Sequence, residues 1–147
     1  MTQPSPKVLI ATDLDRTLIP NGPQSESSDA RPRFRKLIAH PNVGLAYVSG
    51  RHRELVMQAI EEYDLPIPDY VIGDVGTSIY RVDADRWVAW SNWSEQIAQS
   101  WGNRAPGDLA RSLMDIEGLK LQEAAKQGPY KLSYYTPADW DRANRLA

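Results

Sequence analysis

Cysteine is absent from this chain of 147 residues. Disulfides and thiolate chemistry are therefore excluded, and a cytoplasmic setting is the expectation. No apolar run is long enough to span a bilayer, so no membrane partner is expected. Met1 to Pro6 is polar and carries no signal-peptide pattern. A dominant charge sign is also missing. Seventeen Lys and Arg stand against nineteen Asp and Glu, giving a formal net charge of -2. With no basic block, nucleic acid is not an expected partner. There is no internal repeat and no heptad pattern. Only two histidines occur. His40 precedes a proline at an expected helix end, and His52 lacks the partners that would make it catalytic. What remains is a chain of ordinary domain size with enough residues to bury a core.

The most informative stretch is Val8-Leu9-Ile10-Ala11-Thr12-Asp13-Leu14-Asp15-Arg16-Thr17-Leu18. Its apolar start reads as a buried parallel strand. Open α/β sheets place their chemistry at the carboxyl ends of such strands. Asp13 and Asp15 stand at that end, and a bend there lets both carboxylates reach one pocket. Two close carboxylates repel unless a cation or a shared proton intervenes, which points to a divalent metal, Mg²⁺ being the best match for oxygen donors. The competing reading is a solvated turn with a chance pair of acids.

A second strand, Val43 to Val48, ends in Ser49-Gly50-Arg51. A helical pattern follows, with Leu55, Val56, Ala59, Ile60 and Tyr63 on one face. A small hydroxyl residue and a glycine between a strand and a helix start suit an oxyanion. The bland reading is an ordinary strand-to-helix turn. Arg51 either reaches a phosphate or sugar or forms a surface ion pair.

Asp-x-Asp-x-Thr after an apolar strand, then a Ser at the end of the next strand, resembles the first two motifs of the haloacid dehalogenase superfamily. The stretch Asp64 to Tyr80, with Ala46 to Arg51 and Gly128 to Tyr135, is similar to the sucrose-phosphate phosphatase family, in that family's order. The resemblance implies an α/β fold: a partial Rossmann-like haloacid dehalogenase core with a parallel sheet over 1–80, and part of an α+β cap domain over 81–147. It implies that Asp13 is the nucleophile and that Asp15 is the general acid and base, with a raised pKa for the acid role. Mg²⁺ is implied on Asp13 and the Asp15 backbone carbonyl. Ser49 and Gly50 are implied to hold phosphate, Thr17 to brace the loop, and Lys131 and Tyr134 in the cap to face the sugar, a plain cap strand being the safer reading of the last two.

The family also carries a lysine and a Gly-Asp-x-x-Asn-Asp type cluster beyond the point where this chain stops. Gly73-Asp74 and Gly107-Asp108 are not followed by the needed acids. The expected function is a Mg²⁺-dependent phosphatase of a sugar phosphate, sucrose 6-phosphate first. The alternatives are a phosphatase for another sugar or glycerate phosphate, and an inactive fragment or phosphate-binding remnant. A sheet lacking later strands would expose an edge and invite self-association.

Local signals fill in the rest. Pro20 to Asp29 reads as a loop. A helix is expected after it, capped by Asp29 and turning Phe34, Leu37 and Ile38 inward. Helices are expected near Ser94 to Trp101 and Asp108 to Met114. Strands are expected at Trp87 to Trp90, Leu119 to Leu121 and Lys131 to Thr136, and a further helix starts at Thr136-Pro137-Ala138-Asp139. Trp87, Trp90, Trp93 and Trp101 are read mainly as packing residues, with stacking on a sugar as the alternative.

Overall fold

A computed structural model describes residues 8–137 apart from 24, 85 and 103. The apolar run at the start forms strand β1 (Val8–Thr12). Strand β2 (Val43–Val48) lies parallel to it, with Leu9 opposite Gly44 and Ala11 opposite Ala46. Helix α1 (Ala30–Ile38) connects the two. Helix α2 (Arg53–Glu62) leads to strand β3 (Tyr70–Gly73), parallel to β2. Strands β4 (Ser78–Asp83) and β5 (Arg86–Ala89) return as an antiparallel hairpin and complete the sheet in the order β1-β2-β3-β4-β5. The βαβαβ start is the α/β arrangement expected from the sequence.

The core explains the alternation. Leu45, Tyr47 and Val71 point from the sheet toward Val56, Ala59 and Ile60 of α2 and are sealed from solvent together with Leu14, Ile19 and Leu65. The Tyr47 hydroxyl donates to the Pro66 carbonyl at 2.7 Å, which satisfies its one polar group, and burial raises its pKa well above the usual phenol value. Phe34 and Ile38 of α1 pack against the same cluster. Leu37 stands at the margin of that i, i+4 stripe and is exposed, contrary to expectation. Asp29 does occupy the N-cap of α1. It takes a helical conformation, however, and its carboxylate accepts from Arg33 at 3.2 Å rather than from a backbone N–H.

The chain divides into two compact units after Ser94. The boundary expected between 80 and 81 falls inside β4, because Ile79 pairs with Ile72 and Val88 with Arg81, so the hairpin belongs to the sheet. The first four residues of helix α3 (Ser91–Ser100) precede the division. Helix α4 (Pro106–Leu113) has Pro106 in its first turn and the Asp108 carboxylate on the Ala105 N–H at 2.8 Å.

In the second unit, β6 (Lys120–Leu121) and β7 (Tyr134–Tyr135) form a two-residue antiparallel ladder. The strand expected from Lys131 to Thr136 is thus confined to Tyr134 and Tyr135. At Ser133 the Gln127 side chain accepts from the N–H at 2.8 Å and donates to the carbonyl at 3.0 Å, a carbonyl that also accepts the Gln122 N–H at 3.0 Å. The helix expected from Thr136 onward runs outside the described residues from Ala138. Among the described residues no helix is long and apolar enough to cross a membrane.

Candidate active site

Leu14 shapes the loop that follows β1. It is fully buried, and its carbonyl accepts from the N–H groups of Thr17, Leu18 and Ile19 at 3.2, 3.0 and 3.0 Å. The turn is closed by Arg16, which adopts a left-handed φ of 61° and donates its N–H to the Ile19 carbonyl at 2.8 Å. Burying Leu14 leaves Asp13 and Asp15 to flank it. Asp13 is exposed, and one of its carboxylate oxygens accepts the Leu14 N–H at 2.7 Å.

The neighbouring strand brings the second half of the site. Thr12 is opposite Tyr47, so the residues after both strands lie side by side. Ser49 is 5% exposed, and its Oγ accepts the Arg51 N–H at 3.2 Å. As an acceptor there, the hydroxyl keeps its hydrogen for another oxygen. The Ser49 N–H is committed to the Ile72 carbonyl at 2.9 Å.

Arg51 ties the two loops together. Its Nε and Nη2 donate to the two oxygens of Asp15 at 2.9 and 2.7 Å, a bidentate pair with both side chains more than two-thirds buried. Of the two expected roles of Arg51, the structure without a ligand displays an ion pair. It is made with the second carboxylate rather than on the open surface. The pair also reverses the expected electrostatics of Asp15. The Arg51 hydrogen bonds hold its carboxyl below the ordinary value, outweighing desolvation, whereas the acid role called for a raised one.

Two further features come from the structure alone. Asp74, Val75 and Gly76 take φ values of 53°, 54° and 90°, three left-handed residues in succession. The Asp74 N–H donates to the Arg51 carbonyl at 2.9 Å, and the Trp93 indole N–H donates to the Gly76 carbonyl at 2.9 Å. A Cβ on Gly73 would meet the Arg51 carbonyl at 3.1 Å, so this close approach favours glycine. Val75 lies beside Gly50 and is 68% exposed, so core packing does not compensate its strain. The Gly-rich bend was visible in the sequence, but its docking on the Ser49 loop was not.

The remaining predicted residues fall elsewhere. Thr17 lines a cavity of about 340 Å³ with Arg16, Glu26, Arg31 and Phe34, and none of Asp13, Asp15, Ser49 and Gly50 lines that cavity. His52 sits at the N-cap of α2 with its Nδ1 2.9 Å from Glu54. Trp87 packs against the core with its ring centroid 5.8 Å from that of Tyr80. Lys131 and Tyr134 belong to the second unit, Lys131 in a bridge with Gly128 and Tyr134 opposite Leu121.

The donors that the resemblance implies for a metal, the Asp13 carboxylate and the Asp15 backbone carbonyl, are hard oxygens. No group of three or more acids and histidines placed to hold a metal occurs among the described residues. Oxygen donors of this kind suit Mg²⁺, which binds through one or two carboxylates plus substrate phosphate.

The family model described as sucrose-6F-phosphate phosphohydrolase matches residues 6–145. A HAD-like hydrolase of Nitrosococcus oceani is 51% identical over 140 residues, which are 95% of this chain and 38% of that protein. A mannosylfructose-phosphate phosphatase of Agrobacterium fabrum is 32% identical, over 88% of this chain and 50% of that protein. Among solved structures, the sucrose-phosphatase of a Synechocystis species, in complex with sucrose and phosphate, superposes with a TM-score of 0.72 at 25% identity. That likeness covers 89% of this chain and 49% of the other. The chain thus spans half or less of the length of each of these relatives.

Proposed function

The chain belongs to the sucrose-6F-phosphate phosphohydrolase family, and from that premise we propose that it serves in hydrolysing the phosphate monoester of a sugar, with sucrose 6-phosphate the first candidate. One observation carries the reading. Asp13 and the Ser49-Gly50 turn stand side by side at the carboxyl ends of adjacent parallel strands, with Asp15 clamped between the loops by Arg51.

In this reading the exposed Asp13 carboxylate attacks phosphorus in line. The P–O bond to the sugar breaks, and an aspartyl-phosphate forms on Asp13. The Ser49 hydroxyl and the Gly50 N–H hold the phosphoryl oxygens. Asp15 gives a proton to the departing sugar oxygen and then takes one from the water that attacks the aspartyl-phosphate. In the free protein Asp15 is poised as a base, because Arg51 favours its ionised form. A bound phosphate dianion competes for the Arg51 guanidinium, and loosening that clamp lets the Asp15 carboxyl bind the proton it must donate. The Asp13 carboxylate and the Asp15 carbonyl would hold Mg²⁺, which would supply charge neutralisation at the phosphate.

The selecting residues for the sugar belong to the second unit in this reading, with Lys131 and Tyr134 as candidates. Relatives named for sucrose phosphate and for mannosylfructose phosphate support the substrate class and leave the choice between disaccharide phosphates to experiment.

The test is phosphate release from sucrose 6-phosphate and from mannosylfructose phosphate with Mg²⁺. It is run on the chain alone and on a chimera in which this chain replaces the matched stretch of the Nitrosococcus relative, each beside an Asp13→Asn control. Release that disappears in the control supports the reading. Release that survives Asp13→Asn overturns Asp13 as the nucleophile, and none from either folded protein overturns the reading in favour of a phosphate-binding remnant.

A further inference from the structure

The connection from β3 to β4 holds strain that the turn itself does not require. Gly73 pairs with Ser78, so Asp74 to Thr77 make the whole reversal. The chain is left-handed at Asp74, Val75 and Gly76 in turn. Glycine enters that region freely, and aspartate and asparagine enter it more readily than other side chains. Asp74 and Gly76 are therefore suited to their places. Val75, between them with φ 54°, is not, because its branched β-carbon crowds the backbone there. A glycine or an asparagine at 75 would make the same turn with less strain.

Burial does not account for Val75 either, since the residue is 68% exposed. The loop around it is nevertheless fastened at several points. The Asp74 N–H donates to the Arg51 carbonyl at 2.9 Å. The Asp74 carbonyl accepts the Thr77 N–H at 3.2 Å and the Thr77 hydroxyl at 2.9 Å. The Asp74 carboxylate accepts the Ser78 hydroxyl at 3.2 Å, and the Trp93 indole N–H holds the Gly76 carbonyl at 2.9 Å. These bonds set Val75 against one neighbour. Its Cγ1 lies 3.5 Å from the place that a Cβ on Gly50 would take, so the isopropyl group stands beside the α-carbon of Gly50. A strained residue that its surroundings over-determine, and that no core requires, is characteristic of ligand contacts.

The chemistry of the side chain says which part of a ligand it suits. In the phosphatase reading Ser49 and Gly50 hold the phosphoryl oxygens. A phosphate monoester seated there places a carbon on the bridging oxygen next to that turn. Val75 has no hydrogen-bonding group on its side chain, so it offers phosphate oxygens nothing. Its methyl groups match the C–H surface of the ester carbon and of the sugar ring beyond it. We propose that Val75 is a substrate-contacting residue, packing on the carbon skeleton of the leaving sugar beside the phosphoryl group. The inference rests on the phosphatase reading and adds to it a residue that distinguishes a sugar phosphate from free phosphate.

Methyl and amide NMR of the Asp13→Asn chain with Mg²⁺, in which turnover is blocked, tests the contact. Sucrose 6-phosphate is expected to shift the Val75 methyls and the Gly50 amide, and inorganic phosphate the Gly50 amide alone. Val75→Gly and Val75→Asn, made in the same chain, are expected to weaken sucrose 6-phosphate about fivefold and to leave inorganic phosphate within about twofold. Both should raise Tm, which separates the lost affinity from lost folding. Val75→Ile keeps the apolar contact and should keep the affinity for sucrose 6-phosphate. Equal weakening of both ligands overturns the proposal and leaves the phosphatase reading in place. So do Val75 methyls that ignore sucrose 6-phosphate while the Gly50 amide responds. A Gly50 amide that neither ligand moves overturns the phosphatase reading itself, and the proposal with it.

Discussion

The body of the sheet and its carboxyl rim are built on opposite terms. In the body, Leu45, Tyr47 and Val71 are sealed and apolar, and the one polar group among them, the Tyr47 hydroxyl, is bonded to Pro66. At the rim, a few residues further along the same strands, stand an exposed Asp13, a clamped Asp15–Arg51 pair and the left-handed run at Asp74-Val75-Gly76. Stability resides in the body, whereas the rim holds charge and strain that stability alone would not select. This division is what a scaffold that presents a reactive edge requires.

The contrast breaks most visibly at Tyr47. Tyr47→Ala removes a fully buried ring and orphans the Pro66 carbonyl, at an expected cost of about 3–5 kcal/mol in urea unfolding. A loss below about 1 kcal/mol there would mean that the body is not the stability reservoir.

Arg51→Ala comes next. It leaves the Asp15 carboxylate partly buried without its cation, for an expected loss of about 1–2 kcal/mol. The sign with pH follows from the direction of the shift. The folded-state pKa of Asp15 lies below the unfolded value of 3.8, so the pair's contribution is full above that value. It drains away as the pH falls through the lowered folded value. The stability gap between wild type and Arg51→Ala is therefore expected to be constant through neutral pH and to close in strong acid. A gap that opens as the pH falls would contradict the clamp.

Val75→Gly should move the other way. Relief of the left-handed β-branched residue is expected to stabilise by about 1 kcal/mol, seen as a rise in Tm. If Val75 contributes to substrate contact, the same variant raises KM while the protein gains stability. Smallest of all on stability is Asp13→Asn. The amide oxygen can still accept the Leu14 N–H, so unfolding should shift by less than about 0.5 kcal/mol while phosphate release is lost. A large destabilisation would mean that Asp13 is a structural residue.

Much of the body was legible in the sequence. The apolar runs of β1 and β2 and the i, i+3, i+4 spacing of Val56, Ala59 and Ile60 are local patterns, and the structure forms strands and a helix there. Strand β1, expected to be buried, nonetheless leaves Val8 53% and Leu9 56% exposed, because it pairs on one side only among the described residues. The site was legible as residue types at strand ends, because a strand followed by a turn fixes where Asp13 and Ser49 stand. The Asp15–Arg51 clamp was not, since it joins residues 36 apart in the chain and depends on side-chain direction. The expected boundary after Tyr80 cuts through β4, because the charged and aromatic stretch from Arg81 to Trp90 looks unlike the core, yet register with β3 ties β4 to the sheet. The shortened β7 was hidden for a similar reason. Nothing local announces that the Gln127 amide will take the Ser133 N–H.

The account stands or falls on whether the rim binds phosphate, and amide NMR measures that directly. Inorganic phosphate with Mg²⁺, titrated into the ¹⁵N-labelled chain, is predicted to shift the Leu14, Gly50 and Arg51 amides together, and Asp13→Asn should alter the Leu14 response. Shifts confined to the cavity around Arg31 and Phe34, or none at the ends of β1 and β2, would contradict it.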